Sequence, residues 1–382
     1  LTKTYGHHSH AEGATSRTYG EGAHAEGEFT LASGSYSHAE GKGTIAQKDY
    51  SHAEGINTRT SGSFGAYSHV EGYYSLASAQ NAHAEGYSSD ATGFMSHAEG
   101  KNTIASAFYS HAEGSGSKAD GNSSHAEGKK TEALAVRSHT EGVFTKATGV
   151  ESHAEGHHNI TVGYGSHAEG LRNTSSAEYS HTEGEKTKTF GEHSHAEGYL
   201  TITVAGADYS HAEGYQSSTK GDYSHAEGWL TTASANYSHA EGKNTSTISQ
   251  VGGHAQGDNS IAQGKFAFAS GLDTTASLDY TATRGRDTRP LSLNDVDPEH
   301  FHTGSLVVGR HNTRHSMVGS GFTQSSKSQF VVGAGTNSNA KANLAEFTME
   351  DILLNIDFLP TSNPNKIGQL YRDGGIMKIS LG

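Results

Sequence analysis

Along the first two-thirds of the chain, small residues alternate with larger polar ones in short runs separated by glycine-rich pairs. Ser37, Ala39 and Gly41 share one parity, while His38 and Glu40 share the other. Seven residues on, a second run follows, with Thr44 and Ala46 opposite Ile45 and Gln47. Alternation with period two predicts strands, and the glycine-rich pairs predict corners. The first run, Ser9-His10-Ala11-Glu12-Gly13, recurs with minor variants so that its histidine appears 17 times, from His10 to His239. A degenerate copy, His254-Ala255-Gln256-Gly257, closes the series. The step is 14 residues nearly everywhere; it lengthens to 17 before His69, 16 before His211 and 15 before His254, where loops are expected. A fixed period of this kind predicts a solenoid, each repeat forming one coil of two short strands stacked about 4.8 Å from the next.

One parity stays small throughout. The residue after the repeat histidine is Ala, Val70, Thr140 or Thr182. The lumen is therefore expected to be narrow, with little apolar surface to bury at about 25 cal/mol per Å². The other parity behaves differently in the two halves. In the second half it varies freely, as in Arg17 with Tyr19, Asp90 with Thr92, Lys118 with Asp120 and Ile202 with Val204. In the first half it is nearly always His and Glu. A uniform face implies a uniform neighbour, and the simplest one is another copy of the chain related by rotation. The residues assigned to that interface are the pairs His10 and Glu12, His24 and Glu26, His38 and Glu40, His52 and Glu54, and His97 and Glu99. Further along come His111 and Glu113, His153 and Glu155, His225 and Glu227, and His239 and Glu241. Unpaired glutamates about 4.8 Å apart would repel by about 3.5 kcal/mol at an effective dielectric near 20. Each is therefore expected to accept a hydrogen bond from a histidine of its own or an adjacent chain.

The repeat S-H-A-E-G-x-x-T-x-A-x-G-x-x resembles the S-V-A-I-G-x-x-S-x-A-x-G-x-x unit of YadA-type trimeric adhesin heads, with His and Glu in place of Val and Ile. The His-Glu form is similar to repeats in bacteriophage tail fibre and neck appendage proteins. The resemblance spans roughly Leu1 to Gly271. It implies an all-β fold, a left-handed parallel β-roll (a β-solenoid) of 14-residue repeats assembled as a homotrimeric fibre. It implies a structural, non-enzymatic role in a phage virion, with other virion or tail proteins and a host-surface glycan or protein as partners. Two other readings follow from the same residues: a bacterial trimeric adhesin at the cell surface, and a fibre-borne glycan-degrading enzyme.

Composition sharpens this picture. Hydrophobic residues make up only 32% of the 382, low for a globular enzyme, and with no Cys there is no disulfide or thiol chemistry. The net charge is −14, but setting aside the 17 repeat glutamates from the 41 acidic residues leaves 24 against 27 Lys and Arg. The acidity lives in the ladder. No basic stripe interleaved with aromatics points to nucleic acid. No signal peptide or apolar run suggests membrane insertion. A start at Leu1 reads as a processed end or a fragment. Histidine and glutamate are zinc and nickel ligands, yet a pair repeated this often reads as lattice, and neither metal nor cofactor is expected. Tyrosines two residues before the histidine (Tyr36, Tyr50, Tyr67, Tyr109, Tyr179, Tyr209, Tyr223 and Tyr237) read as corner packing, with an aromatic column that holds a glycan as the other reading.

After a shaft of residues 1–271, the period continues without the His-Glu pair, and a neck is expected over 272–304, with Arg284, Arg286, Arg289, Pro290 and Pro298. Its Glu299, His300 and His302 read as a polar linker. An apolar roll over 305–343 is expected from Leu306-Val307-Val308-Gly309, Met317-Val318-Gly319 and Phe330-Val331-Val332-Gly333. Residues 344–382 should supply a strand segment and a hairpin at Asp373-Gly374.

Overall fold

The structure, a computed structural model, describes residues 2–62, 66–249 and 251–288, together with the strands Leu306–Arg310, Ser328–Ala334, Asn343–Thr348, Ile352–Leu354, Leu370–Asp373 and Ile376–Ile379. The regular elements among these residues are all strands, and the repeats form a parallel β-solenoid. The chain divides into two compact units, Leu1–Tyr199 and Leu200–Gly382.

In the first unit each coil pairs with the next residue for residue. His83 lies beside His97 and His97 beside His111, and the Ala, Glu and Gly columns follow. The second-half strands do the same, with Asp90 beside Ile104 and Ile104 beside Lys118. The 17-residue step leaves His52 beside His69 and Ala53 beside Val70, so its extra residues leave the register untouched. In the second unit, His211, His225, His239, His254, Phe268 and Ala282 succeed one another in parallel register. Leu306–Arg310 and the start of Ser328–Ala334 extend that ladder. Asn343–Thr348 and Ile352–Leu354 then add antiparallel, and Leu370–Asp373 pairs with Ile376–Ile379 as a hairpin. The expected prolines of the neck, the Glu299, His300 and His302 group, and the Met317 copy lie outside the described residues.

The strands are cut differently from the expectation. The first-half strand starts at the histidine, as in His97–Lys101, and the second-half strand has two residues, as in Ile104–Ala105. The cause is the backbone at the corners. Asn102 and Tyr109 take left-handed φ values of 54° and 61°. There the N–H turns back to the preceding coil, Asn102 donating to Tyr87 O at 2.8 Å and Tyr109 to Phe94 O at 2.9 Å. In the strands the N–H points forward, His97 donating to Ser110 O at 2.9 Å. The motif glycine is required by conformation and space together: Gly100 has φ of 112°, and a Cβ there would lie 2.1 Å from Gly114 O.

The lumen is as narrow as the alternation implies. Ala39, Ala46, Ala98 and Ala105 are fully buried, and Val70, Thr140 and Thr182 fit the same column. The buried motif serine closes a corner: Ser37 Oγ donates to Gly34 O at 2.6 Å and Ser96 Oγ to Gly93 O at 2.7 Å. In each case the hydroxyl reinforces the serine N–H, which donates to the same carbonyl at 3.3 Å for Gly34 and 3.2 Å for Gly93, and is itself satisfied in the lumen.

Candidate functional site

Residue-for-residue register converts the repeated His and Glu into two columns on one face of each unit. The imidazoles stack flat: His24 on His38 with centroids 4.8 Å apart and planes 1° from parallel, His153 on His167 at 4.8 Å and 3°. In the second unit His225 stacks on His239, and His239 on His254, both at 4.8 Å. Each column ends edge-on, with His10 tilted 81° to His24 and Phe268 tilted 64° to His254.

Beside each imidazole stands the glutamate two residues on. The Nε2 to Oε2 distance is 3.4 Å for His10 and Glu12, a hydrogen bond. It is 3.9 Å for His24 and Glu26, 3.8 Å for His38 and Glu40, and 3.9 Å for His52 and Glu54. His97 and Glu99 lie at 3.8 Å, and His111 and Glu113 at 4.0 Å. His153 and Glu155 lie at 3.5 Å, and His239 and Glu241 at 3.7 Å. His225 and Glu227 occupy the same columns. Within one chain, a hydrogen bond from histidine to the glutamate of the same repeat is made only at the first coil of those measured.

Glu26, Glu54 and Glu241 do not accept from the histidine of their own repeat. The side chains of Glu26 and Glu54 are each 49% exposed, and their carboxylates stand beyond hydrogen-bond reach of His24 and His52. Glu241 is also out of reach of His239, and it accepts instead from Gln256 Nε2, one coil on, at 3.3 Å. The cause is common to all three. Flat stacking pins every ring above the last, and residues two apart on a strand must lean far to meet. The outcome is ion-pair proximity without a hydrogen bond.

The ring nitrogens are enclosed all the same. Nε2 of His38, His52, His97, His111 and His239 is sealed from solvent and has no hydrogen-bond partner among the described residues. Burial, reinforced by neighbouring imidazoles, pulls His52, His83, His111, His139, His181, His225, His239 and His254 below the ordinary histidine value. His153 is pulled furthest, to about 4. Nearby carboxylates oppose the shift at His52 without overcoming it. These histidines are neutral at neutral pH.

Ladder triplets such as His38, Glu40 and His52 bring three ligand atoms within 4.8 Å of one another. Zinc binds histidine nitrogens at about 2.0–2.1 Å, so two ligand nitrogens stand at most about 4.2 Å apart. Parallel rings 4.8 Å apart hold equivalent nitrogens wider than that. An ion bridging two coils through equivalent nitrogens would need the rings to turn toward it.

A second feature escapes sequence reasoning. The tyrosines before the motif sit in left-handed backbone, Tyr36, Tyr50, Tyr223 and Tyr237 among them. Gly22, Asn81 and Gly165 occupy the same column, and that interchange is the signal for it. Where tyrosines follow one another they stack, Tyr50 on Tyr67 at 5.0 Å and Tyr223 on Tyr237 at 5.2 Å.

No protein-family profile matches this chain, and no curated protein matches it at a significant level.

Proposed function

We propose that the protein is a structural fibre protein of a phage virion, a tail fibre or appendage. Three copies, each a left-handed roll, turn their His-Glu faces toward one another and offer their variable faces for host-surface attachment. The observation that supports this most is the half-exposed His and Glu side chains repeated on one uniform face, as at His38 and Glu40 and at His52 and Glu54. A second copy, carrying the same ladder at the same spacing, matches that face coil by coil. The half-exposed carboxylates of Glu26 and Glu54, unused by their own histidines, are acceptors of the kind such a copy would meet. The variable second-half face fits the complementary role, because three copies multiply each surface site.

Native mass measurement of the purified chain tests the assembly. The expected mass is three times 40.1 kDa, and a folded monomer persisting at micromolar concentration would sink the reading. Antibody labelling of particles and competition for host adsorption by the purified protein test the attachment role.

A further inference from the structure

Away from the ladder, at the corner that follows the second-half strand, Ser78, Gln80, Thr92, Phe94, Phe108 and Tyr109 line a pocket of about 540 Å³. Its aromatics do not stack flat as the tyrosine columns do. In the column Tyr209, Tyr223 and Tyr237 the rings lie 3° and 1° from parallel, so each covers its neighbour's face. Tyr109 has Met95 on one side in its column and Ser123 on the other. With no ring to stack on, it meets Phe94 edge-on, at 5.8 Å and 87°. Phe94 and Phe108 are tilted by 57° at 5.9 Å. Ring faces stay uncovered, and Phe108 and Tyr109 are 57% and 56% exposed.

The remaining wall is polar and neutral. Ala77 pairs with Ala91, which sets Ser78 and Thr92 one coil apart on the same side, and Gln80 adds an amide. Among the described residues, no Lys, Arg, Asp or Glu lines the pocket. Its volume lies in the ordinary range for small-molecule sites, about 300–1,000 Å³.

We infer that this pocket binds a neutral saccharide. The apolar face of a pyranose lies on the uncovered Phe108 and Tyr109 rings, and its hydroxyls exchange hydrogen bonds with Ser78, Thr92 and Gln80. An aromatic platform beside neutral donors and acceptors matches the two-sided chemistry of a sugar ring. Anionic sugars find no cation in this lining, and the volume holds one or two sugar rings rather than a folded partner. The inference rests on the attachment role proposed above and gives it a site and a ligand class.

The test uses the purified full chain on an array of neutral oligosaccharides beside sialylated and uronate-bearing ones. Phe108→Ala, Gln80→Ala and a control, Tyr223→Ala, run alongside. The wild-type chain is expected to bind neutral glycans. Phe108→Ala should lower that signal by at least about tenfold, equivalent to about 1.4 kcal/mol, and Gln80→Ala should lower it or change which glycans bind. Tyr223→Ala should leave it intact. Melting curves establish that the variants fold, and Gln80→Ala carries the test if Phe108→Ala does not. Neutral-glycan binding that survives both pocket variants overturns the site but leaves the attachment role standing. So does a chain that coats bacterial cells yet binds only acidic glycans or none. A chain that binds neither glycans nor cells overturns both.

Discussion

His97–Lys101 and Ile104–Ala105 belong to one coil, share one lumen and pair with the coils on either side in the same parallel sense. Inside, they are interchangeable in kind, since Ala98 and Ala105 are both fully buried. Outside they diverge. His97 has His83 on one side and His111 on the other, while Ile104 has Asp90 and Lys118. The coil spacing imposes the same demands on both strands, so the difference comes from what each faces. A strand facing solvent tolerates any residue. The face that repeats the same half-buried pair is the one we propose meets a fixed neighbour.

The contrast between inside and outside breaks most severely when parity is lost. Deleting Ala98 alone turns Glu99 from the outer face into the lumen, and every residue to the corner follows. Removing Lys101 to Gly114 instead joins Gly100 to Ser115 in phase and takes out one whole coil. The single-residue deletion should yield aggregated or low-melting protein, and the whole-coil deletion should melt close to the parent. Equal damage from both, by thermal melting, would show that the coils are not equivalent units.

A smaller effect separates backbone demand from surface tolerance. Gly100→Ala meets an unfavourable φ, worth about 1–2 kcal/mol, and drives a Cβ toward Gly114 O, so it should lower the melting temperature by several degrees. Ile104→Thr, on the variable face, should stay within about 0.5 kcal/mol of the parent. Chemical denaturation of the two variants checks both figures, and comparable losses would erase the distinction between the faces.

The mildest perturbation is pH. Ladder histidines such as His52 titrate below their ordinary value of 6.5 when folded. In the unfolded chain they take up protons that the folded ladder refuses, so stability is fully present above about 6.5 and falls as pH drops toward about 4, where His153 is protonated. Melting temperature recorded from pH 7.5 to 4.5 should fall across that window, and Ile104→Thr should leave the profile unchanged. A flat profile would mean that the imidazoles are not enclosed.

Much of this was legible because a period of two sorts side chains without reference to anything else. Ala39 inward and His38 outward follow from alternation alone, and repetition fixes the register. The corners were not legible, because the sign of φ at Tyr109 is not written in tyrosine; it shows only where Gly22 or Asn81 holds the same column. Spacing reveals that His97 and Glu99 share a face but not that stacking on His83 and His111 keeps them 3.8 Å apart within one chain. The same holds for Glu26, Glu54 and Glu241, whose own histidines are held away by the rings they stack on. The pocket at Phe94, Phe108 and Tyr109 depends on Met95 and Ser123 interrupting an aromatic column, which has no signature within a single repeat.

The claim that the His-Glu face is where copies meet is open to direct measurement, because the chain has no cysteine. Single variants His97→Cys and Ile104→Cys each introduce one thiol, on opposite faces of the same coil. Under mild oxidation, His97→Cys should give chains covalently linked in pairs on a non-reducing gel, and Ile104→Cys should remain single. Linkage through Ile104→Cys with none through His97→Cys, or equal linkage through both, would contradict the account.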